Sequence, residues 1–230
     1  MEEVRIYNQF KVRIIKTQFL NFNNYCYLGI DLQSKQAFIV DPAWELRKIE
    51  QCIEEEQATL TMVLLTHAHF DHVNLAGTIA RKYNVPVYIG EMEKEHYRFH
   101  CRGSRGVRDG ERIEIGNTFI QCISTPGHTK GGISYLCNGH FFTGDTLFIE
   151  GCGVCNMNGG SAEQMYETFQ RLRNEISGDT YVYPGHRYKN EPGQRMEFVL
   201  EHNIYFKLLD KEYFIEFRNR PRKVKNRRGL

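Results

Sequence analysis

Met62-Val63-Leu64-Leu65-Thr66-His67-Ala68-His69-Phe70-Asp71-His72 runs from a short apolar segment straight into three imidazoles and a carboxylate within six residues. An apolar run of that length reads as a buried strand. The polar residues after it then occupy a strand-end loop, where a rigid scaffold holds side chains and leaves their tips exposed. Neutral imidazole and carboxylate are ligand types that suit zinc, iron or manganese. The segment therefore points to a metal-binding loop and to hydrolytic metal chemistry.

An isolated His-x-His pair in a loop is usually surface decoration, but this cluster has company. Pro126-Gly127-His128-Thr129-Lys130-Gly131-Gly132, Thr143-Gly144-Asp145-Thr146-Leu147-Phe148 and Tyr183-Pro184-Gly185-His186 each follow a strand-like run and each offer one ligand. Five of the chain's nine histidines fall in these four places.

In this order, H-x-H-x-D-H, P-G-H-T-x-G-G, G-D-T-L-F and the late P-G-H resemble the metallo-β-lactamase superfamily, specifically its glyoxalase II-like hydrolase branch, over roughly residues 11 to 190. The resemblance implies an α/β fold, an α/β/β/α sandwich with a short C-terminal helical extension. It also implies two zinc ions per chain, although the same ligands accept iron or manganese. His67, His69 and His128 would hold one metal, Asp71, His72 and His186 the second, and Asp145 would bridge them. Asp71 and Asp145 would also orient the ions and bound water in catalysis. The spacing agrees: His67 and His69, two apart, can converge on one ion while Asp71 and His72 reach past it. Such a centre leaves room for water, and an open position separates a catalytic metal site from a closed structural one.

Superfamily membership does not fix the substrate. A lactamase of this superfamily typically has cysteine where this chain has Asp145, and flavodiiron oxidoreductases replace the second loop histidine, here His69, with glutamate. A persulfide dioxygenase, with a single iron, shares much of the motif pattern and is a competing reading of another reaction class. Glyoxalase II binds glutathione through a lysine and a tyrosine just after its G-C-G turn. Aligning Gly151-Cys152-Gly153 puts Val154 and Asn156 at those positions, so both contacts are missing. Tyr188 matches a substrate-contacting tyrosine of the family, yet the long C-terminal domain is cut to residues 191–230. The whole pattern is similar to the stand-alone zinc-dependent hydrolases encoded with bacillaene-type trans-acyltransferase polyketide synthases. That similarity implies a metal-dependent thioesterase that releases acyl groups from an acyl carrier protein, its expected partner, in polyketide antibiotic biosynthesis.

Composition sets the wider bounds. With 230 residues and 41% hydrophobic content, the chain can bury a sizeable core. We expect a hydrolase domain over 1–190 and a helical extension over 191–230. No apolar stretch approaches the ~20 residues that span a bilayer, and the start lacks an apolar leader, so a soluble cytoplasmic protein is expected. Seven cysteines, an odd number, read as reduced thiols rather than a disulfide framework. Cys152-Gly153-Val154-Cys155 reads as a loop near the active-site rim, with a redox role as the alternative. From Arg218 to Leu230 the chain holds Arg218, Arg220, Arg222, Lys223, Lys225, Arg227 and Arg228 and no acid. Without those seven, twenty-three basic residues face twenty-eight acids, so a net +2 conceals an acidic body and a basic tail. The tail is either solvated or an arm for a polyanion such as an acidic carrier protein. A nucleic-acid hydrolase rests on that tail alone, with no RNA-binding module recognisable.

The coarse pattern reads as strands over 10–17, 24–31 and 37–40, an antiparallel meander. Further strands are expected at 85–89, 112–115, 118–124, 132–136 and 140–143. Helices are expected at 44–57, 75–83, 161–172 with Ser161 as N-cap, and 194–209.

Overall fold

The computed structural model describes residues 4–7 and 9–220, with side chains from residue 9 onward. The first half lays down β1 (Val4–Tyr7), β2 (Phe10–Phe19), β3 (Phe22–Asp31), β4 (Gln36–Val40), α1 (Leu46–Glu55), β5 (Thr59–Leu65), α2 (Phe70–Val73), α3 (Ala76–Tyr83), β6 (Val87–Gly90), α4 (Glu91–His96) and β7 (Ser104–Val107). These strands form one sheet in sequence order, antiparallel through β4 and parallel from β4 to β7. The second half continues with β8 (Arg112–Ile115), β9 (Thr118–Ser124), β10 (Ile133–Cys137), β11 (His140–Gly144), α5 (Ala162–Glu175), β12 (Tyr181–Pro184), β13 (Gln194–Arg195), α6 (Met196–His202), α7 (Ile204–Lys207) and α8 (Lys211–Asn219). Its sheet runs β13-β12-β11-β10-β9-β8, antiparallel except for the β11–β12 pair.

Strand alternation builds the layers. Phe38 and Val40 of β4 and Leu64 of β5 point between the sheets, where they share a core with Tyr135, Phe142 and Tyr183. Ile39, Val63 and Leu65 point the other way, onto Ile49, Ile53 and Ile79 of α1 and α3. Behind the second sheet, Phe141 and Val182 meet Met165 and Phe169 of α5 and Val199, Phe206 and Phe214 of α6 to α8. Helices thus cover both outer faces, the α/β/β/α sandwich expected from the sequence. Strands that bury both faces read as continuous apolar runs, which is why Met62 to Leu65 carries no alternation.

The strands at 112–115 and 118–124 fall where expected, and Ser161 caps α5, its Oγ accepting from the Gln164 amide at 3.2 Å. The single helix expected over 194–209 is corrected to β13, α6 and α7. Asn203 breaks it, because its side chain serves other backbone groups: Oδ1 accepts from the Tyr205 amide, and Nδ2 donates to the carbonyls of Phe148 and Gly151, each at 2.9 Å. The basic tail is corrected at its start. Arg218 and Arg220 belong to the end of α8 and its cap, Arg218 donating to the Tyr205 hydroxyl at 2.7 Å and Arg220 pairing with Glu216 at 3.1 Å. Arg222, Lys223, Lys225, Arg227 and Arg228 lie outside the described residues. Cys152 and Cys155 are in a loop, as expected, but buried against the α5–α8 layer. Burial pushes the Cys155 thiol up to about 11 although Arg218 draws it down, the opposite of what a reactive thiol needs. Among the described residues no helix is long and apolar enough to cross a membrane.

Hydrogen bonds tie the two sheets together at one edge. The Ile133 amide donates to the Thr66 carbonyl (2.9 Å), the Tyr25 amide to Gly185 (2.9 Å) and the Tyr135 hydroxyl to Leu65 (2.9 Å). The Tyr27 hydroxyl donates to the Pro184 carbonyl. Leaving a buried carbonyl without its donor costs about 1–3 kcal/mol. Tyr27→Phe should therefore lower the urea midpoint by a corresponding amount without changing the slope, measured by equilibrium unfolding.

Candidate metal centre

That tied edge is where the parallel strands of both sheets end, and the chemistry-bearing side chains gather there. His67 follows β5, Asp145 follows β11 and His186 follows β12, while Asp71 and His72 lie on the short α2, so the metal loop is partly helical. His128 comes from the turn between β9 and β10. Among the described residues, three groups have ligand atoms within 4.8 Å of one another: His67, His69 and His128; Asp71, His72 and His186; and Asp41, His67 and His72. Asp145 lies between the first two, with Oδ2 at 3.7 Å from His128 Nε2 and 3.4 Å from His186 Nε2, and Oδ1 at 3.5 Å from His72 Nε2. All seven expected residues come together.

Four of the five imidazoles are aimed by the nitrogen that faces away from the centre, while His69 Nδ1 faces His128 Nε2 at 3.0 Å. His72 Nδ1 bonds Asp41 Oδ2 at 2.9 Å, His128 Nδ1 the Val154 carbonyl at 2.7 Å, and His186 Nδ1 the Asn23 carbonyl at 2.8 Å. Thr66 Oγ1 donates to Asp41 Oδ2 at 2.6 Å, which leaves it to accept from His67 Nδ1 at 3.0 Å. These partners occupy Nδ1 and turn Nε2 of each of these rings inward.

Those inward atoms are what a cation needs. His67 Nε2, His72 Nε2 and Asp145 Oδ1 are buried with no hydrogen-bond partner among the described residues, a costly arrangement unless something else coordinates them. The protonation pattern agrees. Burial, reinforced by neighbouring histidines, holds His67 well below its ordinary value and takes His69 down to about 4, so that set is neutral and ready to coordinate. At His186, burial is outweighed by the Asp145 charge and hydrogen bonds to Asp145 and Asp71, which push it up to about 11. Burial would raise Asp71 and Asp145, yet hydrogen bonding or charge from His186, together with His72, holds both below the usual carboxylate range. The carboxylates demand positive charge, and the donor set fits two divalent cations.

Residues that the sequence did not single out complete the site. Asp41 ends β4 and also accepts from the Thr66 amide at 2.8 Å, bracing the first residue of the metal loop. Its signal was present, an acid directly after an apolar strand. Glu93, fully buried on α4, accepts from the amides of Ala68 (2.8 Å) and Gly131 (2.9 Å), clamping the metal loop to the His128 turn. Nothing distinguished it from the acids around it. Asn24 donates from Nδ2 to Asp71 Oδ2 at 3.0 Å and to the Asp71 carbonyl at 2.9 Å. Gly185 sits where a Cβ would lie 2.5 Å from His72 and 2.6 Å from Asp145, so any side chain there would displace ligands. A cavity of about 670 Å³ opens above the centre, lined among others by His69, Asp71, His128, Asp145 and His186, and by the exposed Tyr188.

The metallo-beta-lactamase superfamily pattern matches residues 22–186. The chain belongs to that superfamily. It is 45% identical over 221 residues, 96% of each chain, to the probable polyketide biosynthesis zinc-dependent hydrolase PksB of Bacillus subtilis (strain 168). It is 38% identical over 167 residues to the hydroxyacylglutathione hydrolase of Erwinia tasmaniensis, a match that covers 72% of this chain and 62% of that protein. Among solved structures, ETHE1 from Myxococcus xanthus superposes with a TM-score of 0.79 at 30% identity, covering 91% of this chain and 92% of that one.

Metal analysis should separate the two ligand sets. His128→Ala should lose the metal held with His67 and His69, and His186→Ala the metal held with Asp71 and His72. Asp41→Asn, which keeps size but weakens the brace on His72, should lower affinity by about 10–100-fold, read by competition with a chelator.

Proposed function

We propose that the chain is a zinc-dependent thioester hydrolase of polyketide biosynthesis that releases acyl groups from an acyl carrier protein. The observation that carries the reading is the end-to-end match to a probable polyketide biosynthesis zinc-dependent hydrolase, 45% identical over 96% of both chains, joined to an intact seven-residue ligand cluster. His67, His69 and His128 would hold one zinc, Asp71, His72 and His186 the other, and Asp145, which lies between the two sets, would be available to both. When bound, the ions supply Lewis acidity and a water acidic enough to attack near neutral pH.

The protein's own groups do the rest. Asp145 reaches both ligand sets, Oδ1 toward His72 and Oδ2 toward His128 and His186, so it fixes one set relative to the other. Asp71, held by Asn24, keeps one carboxylate oxygen toward His186 at 3.3 Å and His72 at 3.6 Å. A cysteine-like thiol leaves with a pKa of about 8.5 and departs as thiolate, so no dedicated general acid is needed.

Glutathione fits less well. Val154 lines the cavity but offers no charge where a glutathione-binding lysine is expected, and the match to the hydroxyacylglutathione hydrolase stops at 62% of that protein. Two complete ligand sets favour a dinuclear hydrolase over a mononuclear iron oxygenase.

Asp145→Ala should abolish turnover while circular dichroism stays native, because it removes a ligand rather than core packing. Near-normal hydrolysis by folded, metal-replete Asp145→Ala would sink the proposed role. Acyl carrier protein thioesters should be cleaved faster than the matching glutathione thioesters in a steady-state comparison. A zinc-loaded protein that prefers glutathione thioesters, or that holds one iron and consumes oxygen with glutathione persulfide, would favour the alternatives.

A further inference from the structure

The cavity floor is polar, but its walls are not. Phe22, Phe70, Met157 and Tyr188 all line it while remaining half or more exposed, at 52%, 71%, 51% and 60%. Large apolar side chains left in water beside a site mark a surface that something apolar covers. These residues are also held in place. Phe22 and Phe70 pack on the Trp44 ring at 5.8 and 5.7 Å between centroids, and Phe19, at the same hairpin tip as Phe22, stacks on it at 5.0 Å. Trp44 is pinned in turn: its indole N–H donates to Asn24 Oδ1 and its backbone amide donates to Asn74 Oδ1, each at 2.9 Å. On the remaining wall Tyr188 rests on the buried Phe148 at 5.1 Å.

Charge narrows what could lie there. Among the described residues, Arg187 is the only Lys or Arg in the lining, and it is paired with Glu191. Along the described walls a carboxylate-bearing acyl group would find no unpaired lysine or arginine, whereas a neutral hydrocarbon would find aromatic faces on preorganised supports. A volume of about 670 Å³ is within the usual range for small-molecule sites and exceeds what a thioester carbonyl alone would fill.

We propose that the Phe22–Phe70 wall, backed by Trp44, is an acyl subsite that selects neutral, apolar acyl chains of several carbons. This rests on the thioester-hydrolase reading for its chemistry but not for its binding. Covering each methylene with such a wall is worth about two- to fourfold in affinity or kcat/KM.

The test uses the full-length, zinc-loaded protein with acetyl, butyryl, hexanoyl, octanoyl and succinyl pantetheine thioesters, and with the non-hydrolysable thioethers of the same chains for Kd. Wild type should improve by about two- to fourfold per methylene in both measurements, with succinyl poorer than butyryl. Phe22→Ser and Phe70→Ser should flatten both series while metal analysis shows unchanged zinc content. Flat thioether affinities in the wild type, or a slope that survives in both variants, overturns the subsite. If the thioethers keep the slope but no thioester is turned over, the subsite stands and the hydrolase reading fails.

Discussion

Asp145 is a nearly buried carboxylate with one oxygen left unpaired, set within 3.7 Å of three inward-pointing imidazole nitrogens. Removing a carboxylate from water costs several kcal/mol unless charge and hydrogen bonds return what is lost. Among the described residues, Arg187 is the one lysine or arginine in the pocket lining, and it is bound to Glu191. The compensation has to come from histidine protons or from cations shared with His72, His128 and His186. Everything that brings those rings to Asp145 therefore serves one electrostatic requirement. The glycine at 185, the Asp41 brace and the Glu93 clamp are parts of that arrangement.

The sandwich meets the requirement by using the same device in each sheet. In the first, β4 and β5 are parallel, joined through α1, and end at Asp41 and His67; in the second, β11 and β12 are parallel, joined through α5, and end at Asp145 and His186. Ligands of open α/β sheets gather at the carboxyl ends of such strands. Here two such ends face each other, stitched by the bonds from Ile133 to Thr66, Tyr25 to Gly185 and Tyr27 to Pro184. A metal held between the two sheets would also clamp them together, since candidate ligands from both converge there.

What could be read from the sequence follows from this geometry. His67, His69, Asp71 and His72 were legible because one strand end carries all four, and His128, Asp145 and His186 because each follows its own strand. Asp41 was passed over because it sits among ordinary strand-end residues, and its position in the left-handed region (φ +47°) has no sequence mark. Glu93 was illegible for a different reason: its partners, Ala68 and Gly131, are distant in the chain, and only the fold makes them neighbours. Asn203 shows the limit of periodicity. Apolar residues on both sides fit one helix, but the bonds to Phe148 and Gly151 outweigh two more turns of helical backbone. The start of the basic tail was misread likewise, because net charge cannot reveal that Tyr205 takes Arg218 into the helical layer.

The proposed apolar subsite and the candidate metal cluster share more than a cavity. Trp44 carries the aromatic wall on its ring and holds Asn24 by its indole N–H, and Asn24 spends its amide on Asp71. One side chain thus connects the apolar lip to a carboxylate of the metal cluster through two hydrogen bonds. A polar chain of this kind, fully satisfied, rigidifies what it joins. A shift of the lip that moved Trp44 would break the indole bond to the same Asn24 side chain that holds Asp71. Trp44 itself adopts a left-handed backbone conformation (φ +67°), a strained setting for a bulky residue. Such strain persists only where the surroundings over-determine it, and here they do so from both sides: three aromatic rings above, and the amides of Asn24 and Asn74 below.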